Sequence, residues 1–581
     1  MGARLRDHPA LVVASAALPA LEAALIVSLG PVSAAPLATQ VVAPAPYGVF
    51  HDLRWLLVYH WSWIAFGLLA VVMIIVRAAL DTSLVRAAWP RTLARPGRRD
   101  AFRHAVRFTA LQALVLLPFA VLTFAMAVTS LSWLFFVSVP VLVMVAVLMH
   151  QGDVTPRWWR DRPSSVTVAA TLAAFAMLSV TGAVIVAVPR GVAPVVAAIG
   201  GIAMAWCRLR IVRSLASDAE PAETDRAPRR RPFVLGGLAA VLGLVVGGTG
   251  IGFAVAVAVE SGRSPLPRAS GRSAGSPVLV VKGFNSKWDG VTRLWVRGDH
   301  RIRRFSYRGL DARGAPRPYD RVATHRALPD LAREMRRQVE AFHEATGSPV
   351  SIVAESEGAL VALTYLNATA DAPVDAAVLL SPLLAPGRVA YPPPGDDGWG
   401  VASGTVLGGL AALVGAVGPV DVSADTPLFR SIVERGPSLG ALLACPVPEV
   451  RGYAVLPIDA GVAAPAPADV AYPYEVVPAF HGGLLGDATT ARHVEQVLAG
   501  RDAPDGSGSW RAIGDGVGAL AAPWQAPDLE PSLREEWRDL PEAPHCASVH
   551  RSLGSWVDQS SVRRGDGRRS AITAEAVRRP E

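Results

Sequence analysis

Apolar residues follow two different patterns along this chain. Up to about residue 258 they run in long blocks separated by short arginine-rich stretches, and beyond it they fall in short runs that alternate with amphipathic segments. A helix needs about 20 apolar residues to cross a bilayer. Runs near 10–30, 55–77, 108–128, 131–149, 165–188, 191–206 and 233–258 meet or approach that length, which predicts an all-α transmembrane domain of about seven helices over residues 1–258. The stretch 108–149 is too long for one span, and Ser130-Leu131-Ser132 reads as the tight turn that divides it. Residues 31–54 read as a loop.

Charge then orients the spans. Basic residues crowd between the second and third runs (Arg77 to Arg107), the fourth and fifth (Arg157, Arg160, Arg162) and the sixth and seventh (Arg208 to Arg231), whereas the alternate loops offer only Arg54 and Arg190. The positive-inside rule places the basic loops in the cytoplasm. The expectation is a multi-pass plasma-membrane protein with a cytoplasmic N-terminus and everything after Glu260 outside. The first run carries Pro19 and Glu22 and leads to Ser33-Ala34-Ala35, which resembles a signal-peptidase site. Pro36 directly after it argues for a retained span. Glu22 and His60 lie in a weak span or near a span end, and the pattern offers neither a second ionisable partner, which argues against a transport path.

Residues 259–276, rich in Ser, Gly, Pro and Arg, read as a flexible linker. From Pro277 strand-like runs (277–282, 302–307, 349–354, 375–380, 450–456, 472–478) alternate with helix-like stretches (326–345, 357–369, 427–444, 487–499). That alternation implies an α/β domain, a doubly wound and mostly parallel sheet, over 277–500. Residues 501–581 form an unassigned C-terminal extension, expected to end in a disordered basic tail.

The sharpest motif is Ala354-Glu355-Ser356-Glu357-Gly358, in which a buried strand runs straight into Ser356 and a helix of small residues leaves it. This resembles the nucleophile elbow of the α/β-hydrolase superfamily, with alanine in place of the usual first glycine. The resemblance covers about 277–500 and implies a lipase- or esterase-like serine hydrolase. A serine hydroxyl needs a base, an orienting carboxylate and N–H donors for the developing oxyanion. In the superfamily's chain order of serine, acid, histidine, His481 follows the last strand-like run and precedes a helix, the family's place for the base. His493, His545 and His550 are the other downstream histidines. Asp459, just past the strand 450–456, is the leading acid, with Asp469 and Asp425 as alternatives. The elbow implies the Glu357 N–H as one oxyanion donor, and Phe284 in Lys282-Gly283-Phe284-Asn285 as the other. That loop looks like the family's His-Gly-aromatic loop with lysine replacing histidine. It holds or adjoins both lysines of the chain, Lys282 and Lys287, so Lys282 and Gly283 are read as substrate-binding.

Residues 398–420 carry no charge and follow the strand ending at Leu380-Ser381, where the superfamily inserts its cap. A cap of about 390–424 that lays an apolar lid over Ser356 is the expectation. An eighth span there would separate Ser356 from His481.

The formal charge of +8 is almost all arginine, a skew typical of GC-rich bacterial coding, and no nucleic-acid motif accompanies it. The three cysteines form no CxxC or Cys/His cluster, so no metal and no cofactor are expected. With Cys207 inside and Cys445 and Cys546 outside, the outer pair is a disulfide candidate. The functional expectation is a membrane-anchored serine esterase acting on membrane lipid or another acyl ester. The rivals are an acyltransferase with the same triad and a non-catalytic sensor or transporter accessory.

Overall fold

The computed structural model describes residues 5–154, 163–218, 275–291, 300–417, 423–464, 470–482, 484, 487–501, 509–538, 540 and 545–559. The expected seventh run at 233–258, the linker up to residue 274, Asp469 and the basic tail lie outside these residues.

Among the described residues six helices are long and apolar enough to cross a membrane. We label them α1 (Pro9–Leu29), α3 (Trp63–Ala88), α4 (Arg98–Thr129), α5 (Trp133–Met149), α6 (Ser165–Ala187) and α7 (Ala193–Asp218). Ser130 adopts φ +54° between α4 and α5, which makes the expected tight turn.

Residues 31–54 are not an external loop. The chain leaves α1, runs as a 3-10 helix (Val32–Val42), and returns as α2 (Ala45–Val58), a hairpin packed inside the bundle. The second long helix therefore starts at Trp63, later than hydropathy alone predicts. Buried backbone needs partners, and arginines supply them at the hairpin's vertex. Arg77 donates to Val41 O (2.8 Å) and Arg208 to Ala43 O (2.5 Å). These charges are in turn paired: Asp52 accepts two bonds from Arg77 (2.6 and 2.7 Å), and Asp81 lies 3.2 Å from Arg208. His51 sits between Asp52 (2.8 Å from Nδ1) and Glu22 (2.9 Å from Nε2). Glu22 thus has an ionisable partner after all, one that only the folded-back hairpin brings to it.

The second half carries six parallel strands: β1 (Ser276–Val281), β2 (His300–Arg304), β3 (Val350–Glu355), β4 (Val374–Leu380), β5 (Arg451–Pro457) and β6 (Tyr474–Val477). Their order is β2-β1-β3-β4-β5-β6. β3 (Val-Ser-Ile-Val-Ala-Glu) is wholly buried, as a central parallel strand must be. β2, at the edge, reads His-Arg-Ile-Arg-Arg, and its charges discourage further strand pairing. Helix α8 (Leu328–Thr346) presents Leu331, Met335, Val339 and Phe342 at helical spacing to the sheet, and α9 (Glu357–Ala368) follows β3.

Part of the second half packs into the core of the helical bundle. Arg54, fully buried on α2, donates to Pro523 O (2.8 Å), Gln525 O (2.5 Å) and Gln40 Oε1. Trp524 stacks on Phe175 of α6 and donates to Ser179 Oγ (2.8 Å). The uncharged segment forms α10 (Val401–Val417), which packs on α2, α3 and α4. His60 fixes its start, accepting the Gly400 and Ala402 N–H groups at its carbonyl (2.9 Å) and Nε2 (3.0 Å). Cys445 and Cys546 are bonded as a disulfide, and residues 546–559 are helical and lay Val549, Leu553 and Trp556 into the α/β core.

Candidate active site

All six strands point their C-terminal ends the same way, so the loops that leave them gather at one edge. The chain moves from β1 outward to β2 and then inward to β3, which makes the β1/β3 boundary the topological switch point. Ligands of open parallel sheets bind outside the strand ends at such a boundary. Ser356 follows β3 and the loop 282–285 follows β1, one on each side of it.

Ser356 adopts φ +56°, ψ −120°, a conformation an L-residue takes only under constraint. Its N–H is held by Leu380 O (2.9 Å). The sharp turn forces strand and helix backbones together: a Cβ on Gly358 would lie 2.9 Å from Lys282 O and 3.0 Å from Val281 O. Gly283 faces the serine as closely, since a Cβ there would meet Ser356 Cβ at 2.9 Å and Oγ at 3.3 Å. Glycine at 358 and 283 therefore has steric reasons.

Ser356 Oγ lies 2.8 Å from His481 Nε2. Burial pushes the His481 imidazole down to about 4, so the ring is neutral and Nε2 is free to accept a proton at neutral pH. Asp459, 1% exposed, comes to the same place from the end of β5. Its Oδ1 and Oδ2 stand 3.1 and 3.5 Å from the backbone N–H of His481. The carboxylate grips the main chain of the histidine, and among the described residues the imidazole makes no hydrogen bond to it. Burial raises Asp459 to about 6, against the lowering effect of the bonds from Ser132 and His481.

The Phe284 and Glu357 N–H groups have no partner among the described residues, the condition for donors that await a ligand. The Phe284 ring is clamped between His325 (4.7 Å between centroids) and Phe429 (5.5 Å). The Asn285 N–H is tied to Thr324 Oγ1 (3.0 Å) and its side chain to His325 Nε2 (2.8 Å). Lys282 accepts the Tyr307 hydroxyl at its carbonyl, which fixes the loop, and its side chain is half-buried.

The other candidates are occupied elsewhere. Asp425 pairs with Arg430 (3.2 Å), and His493 pairs with Glu475. No group of three or more potential metal-ligating side chains occurs among the described residues.

Two features at this site escape a reading of the sequence. Ser132, in the turn between α4 and α5, donates to Asp459 Oδ2 at 2.5 Å. Phe480, 63% exposed beside His481, meets Phe136 of α5 edge to face at 5.8 Å. The sequence marks Ser132 only as part of a turn and Phe136 not at all, because both contacts come from the membrane half. Comparisons with protein-family models, with curated proteins and with solved structures find no match for this chain.

Proposed function

We propose that this protein is a membrane-anchored serine hydrolase that cleaves acyl esters. The observation that carries the reading is the 2.8 Å approach of His481 Nε2 to the Oγ of a serine held at positive φ. The hydroxyl proton passes to Nε2 as Oγ attacks the acyl carbonyl carbon, and the oxyanion turns toward the Phe284 and Glu357 N–H groups. The ester C–O bond then breaks, and the alcohol leaves with the proton from the imidazolium. Water attacks the acyl-serine by the same route in reverse and frees the acid.

The exposed pair Phe136 and Phe480 favours a membrane lipid as the ester, since it joins the rim of the site to a helix that crosses the membrane. The Cys445–Cys546 bridge favours an oxidising compartment, hence the exterior, for this half. A fluorophosphonate probe on the full-length protein in lipid nanodiscs tests the reading. Covalent labelling at Ser356 is expected; a chain that kept the fold only to bind a ligand stays unlabelled.

A further inference from the structure

The spans of a membrane-anchored enzyme need only hold it at the surface. Here they reach into the site. The turn between α4 and α5 is fastened to the α/β half at several points: Ser130 Oγ accepts the Ala385 N–H (3.2 Å), Val128 O accepts the Gly387 N–H (2.8 Å), and Ala127 O accepts the Arg388 N–H (3.0 Å). Ala463, four residues past Asp459, packs with Leu122, Met126 and Leu134 of the same two helices. Within this fixed frame Ser132, 2% exposed, donates a hydrogen bond to Asp459 Oδ2. The carboxylate therefore bridges two elements, with Oδ1 on the histidine loop and Oδ2 on the membrane turn.

We infer that Ser132 is a positioning residue of the active site, so that the membrane bundle completes the catalytic machinery as well as anchoring it. This rests on the serine-hydrolase reading. A buried carboxylate with one oxygen unheld can rotate away from the histidine loop, and its ionised form loses a donor. A hydroxyl on Oδ2 answers both, because it fixes the plane of the carboxylate and favours the charged form. The α/β half alone does not supply that hydroxyl: the bonds to Asp459 come from its own segment, from His481 and from Ser132.

The test is the pH dependence of fluorophosphonate labelling of the full-length protein in nanodiscs, for wild type, Ser132→Ala, Ser132→Thr and Ser130→Ala. With the donor gone, the acid limb of the Ser132→Ala profile moves to higher pH by about one unit, the size expected for one hydrogen bond to a charged group. Ser132→Thr keeps the hydroxyl and the wild-type limb. Ser130→Ala breaks a neighbouring contact of the same turn without touching Asp459, and it too keeps the limb. A lower folded fraction scales the profile without moving it. Should the alanine variant not fold, Ser132→Cys, with its much weaker donor, gives the same reading. A wild-type limb in Ser132→Ala or Ser132→Cys overturns the inference and leaves the hydrolase reading standing. Absence of labelling in wild type removes the hydrolase reading itself.

Discussion

Ser356 and His481 are 125 residues apart in the chain and meet at 2.8 Å, one after β3 and the other after β6. Ser356→Ala removes the atom that bonds to the probe, so labelling disappears. Ester turnover falls to the residual rate that the N–H donors and binding provide. His481→Ala is expected to fall nearly as far, since residues that act as a unit do not contribute additively. Retained labelling in Ser356→Ala refutes the assignment of the nucleophile.

The pH profile identifies the acid. On the proposed reading, activity needs a neutral His481 and an ionised Asp459. Burial holds the first near 4 and the second near 6, so the imidazole is already neutral when the carboxylate loses its proton. The acid limb is therefore expected near pH 6, with activity lost as pH falls through it, and it belongs to Asp459. Asp459→Asn should slow turnover by roughly a hundred- to ten-thousandfold and erase that limb. A limb that persists in Asp459→Asn moves the role to another group.

Glu357 combines an unpaired backbone N–H with a side chain that is nearly inaccessible and has no hydrogen-bond partner among the described residues. Burial raises its carboxyl well above the ordinary range, which favours the protonated form. The folded state then binds a proton that the unfolded state releases above its ordinary value. Stability from this group is full below that value and declines as pH rises toward the folded one. Glu357→Gln keeps the N–H and mimics the neutral form. It should label like wild type and gain thermal stability relative to it as the pH is raised from 4 to 8. Lost labelling in a folded Glu357→Gln protein assigns the carboxyl a chemical role.

Of the apolar segment 398–420, which reads as a lid, residues 401–417 form α10 and lie on α2, α3 and α4. Leu407 and Leu410 pack against the membrane core, while Leu413 is 49% exposed. Replacing all three with Ser should therefore lower turnover of a long-chain lipid and of a soluble acetate ester equally, by loosening the seat between the halves. A loss confined to the lipid restores the lid.

The disulfide joins residues 101 apart, Cys445 beside the core and Cys546 at the start of the C-terminal helix 546–559. Closing a loop of that length is worth about 4–5 kcal/mol in chain entropy. Cys546→Ala should lower the melting temperature, and alkylation of the unreduced wild type should leave both thiols unmodified. Two alkylated sites exclude the bridge.

Periodicity along the chain finds what one segment determines by itself. Strands and elbow are legible because Val350–Glu355 is largely apolar, turns at Ser356 and meets Gly358 two residues later, all within one βα unit. The long helices are legible because bilayer thickness fixes their length. The hairpin at 32–58 is missed because its character is tertiary: Gln40, His51 and Arg54 look like loop polarity until Glu22, Pro523 and Gln525 arrive to satisfy them. Ser132 is missed for the same reason, its partner lying 327 residues on.

The seat of Trp524 also dictates an order of assembly. Arg54 lies among the first helices, yet its partners Pro523 and Gln525 are 469 and 471 residues later, so the bundle is inserted long before they exist. Until the ribosome has passed them, a buried guanidinium stands without two of its carbonyls and Phe175 without its stacking partner. Completion of the bundle is thus a late, long-range closure. A chain halted before Pro523 leaves Arg54 without the Pro523 and Gln525 carbonyls that hold its guanidinium in the apolar half.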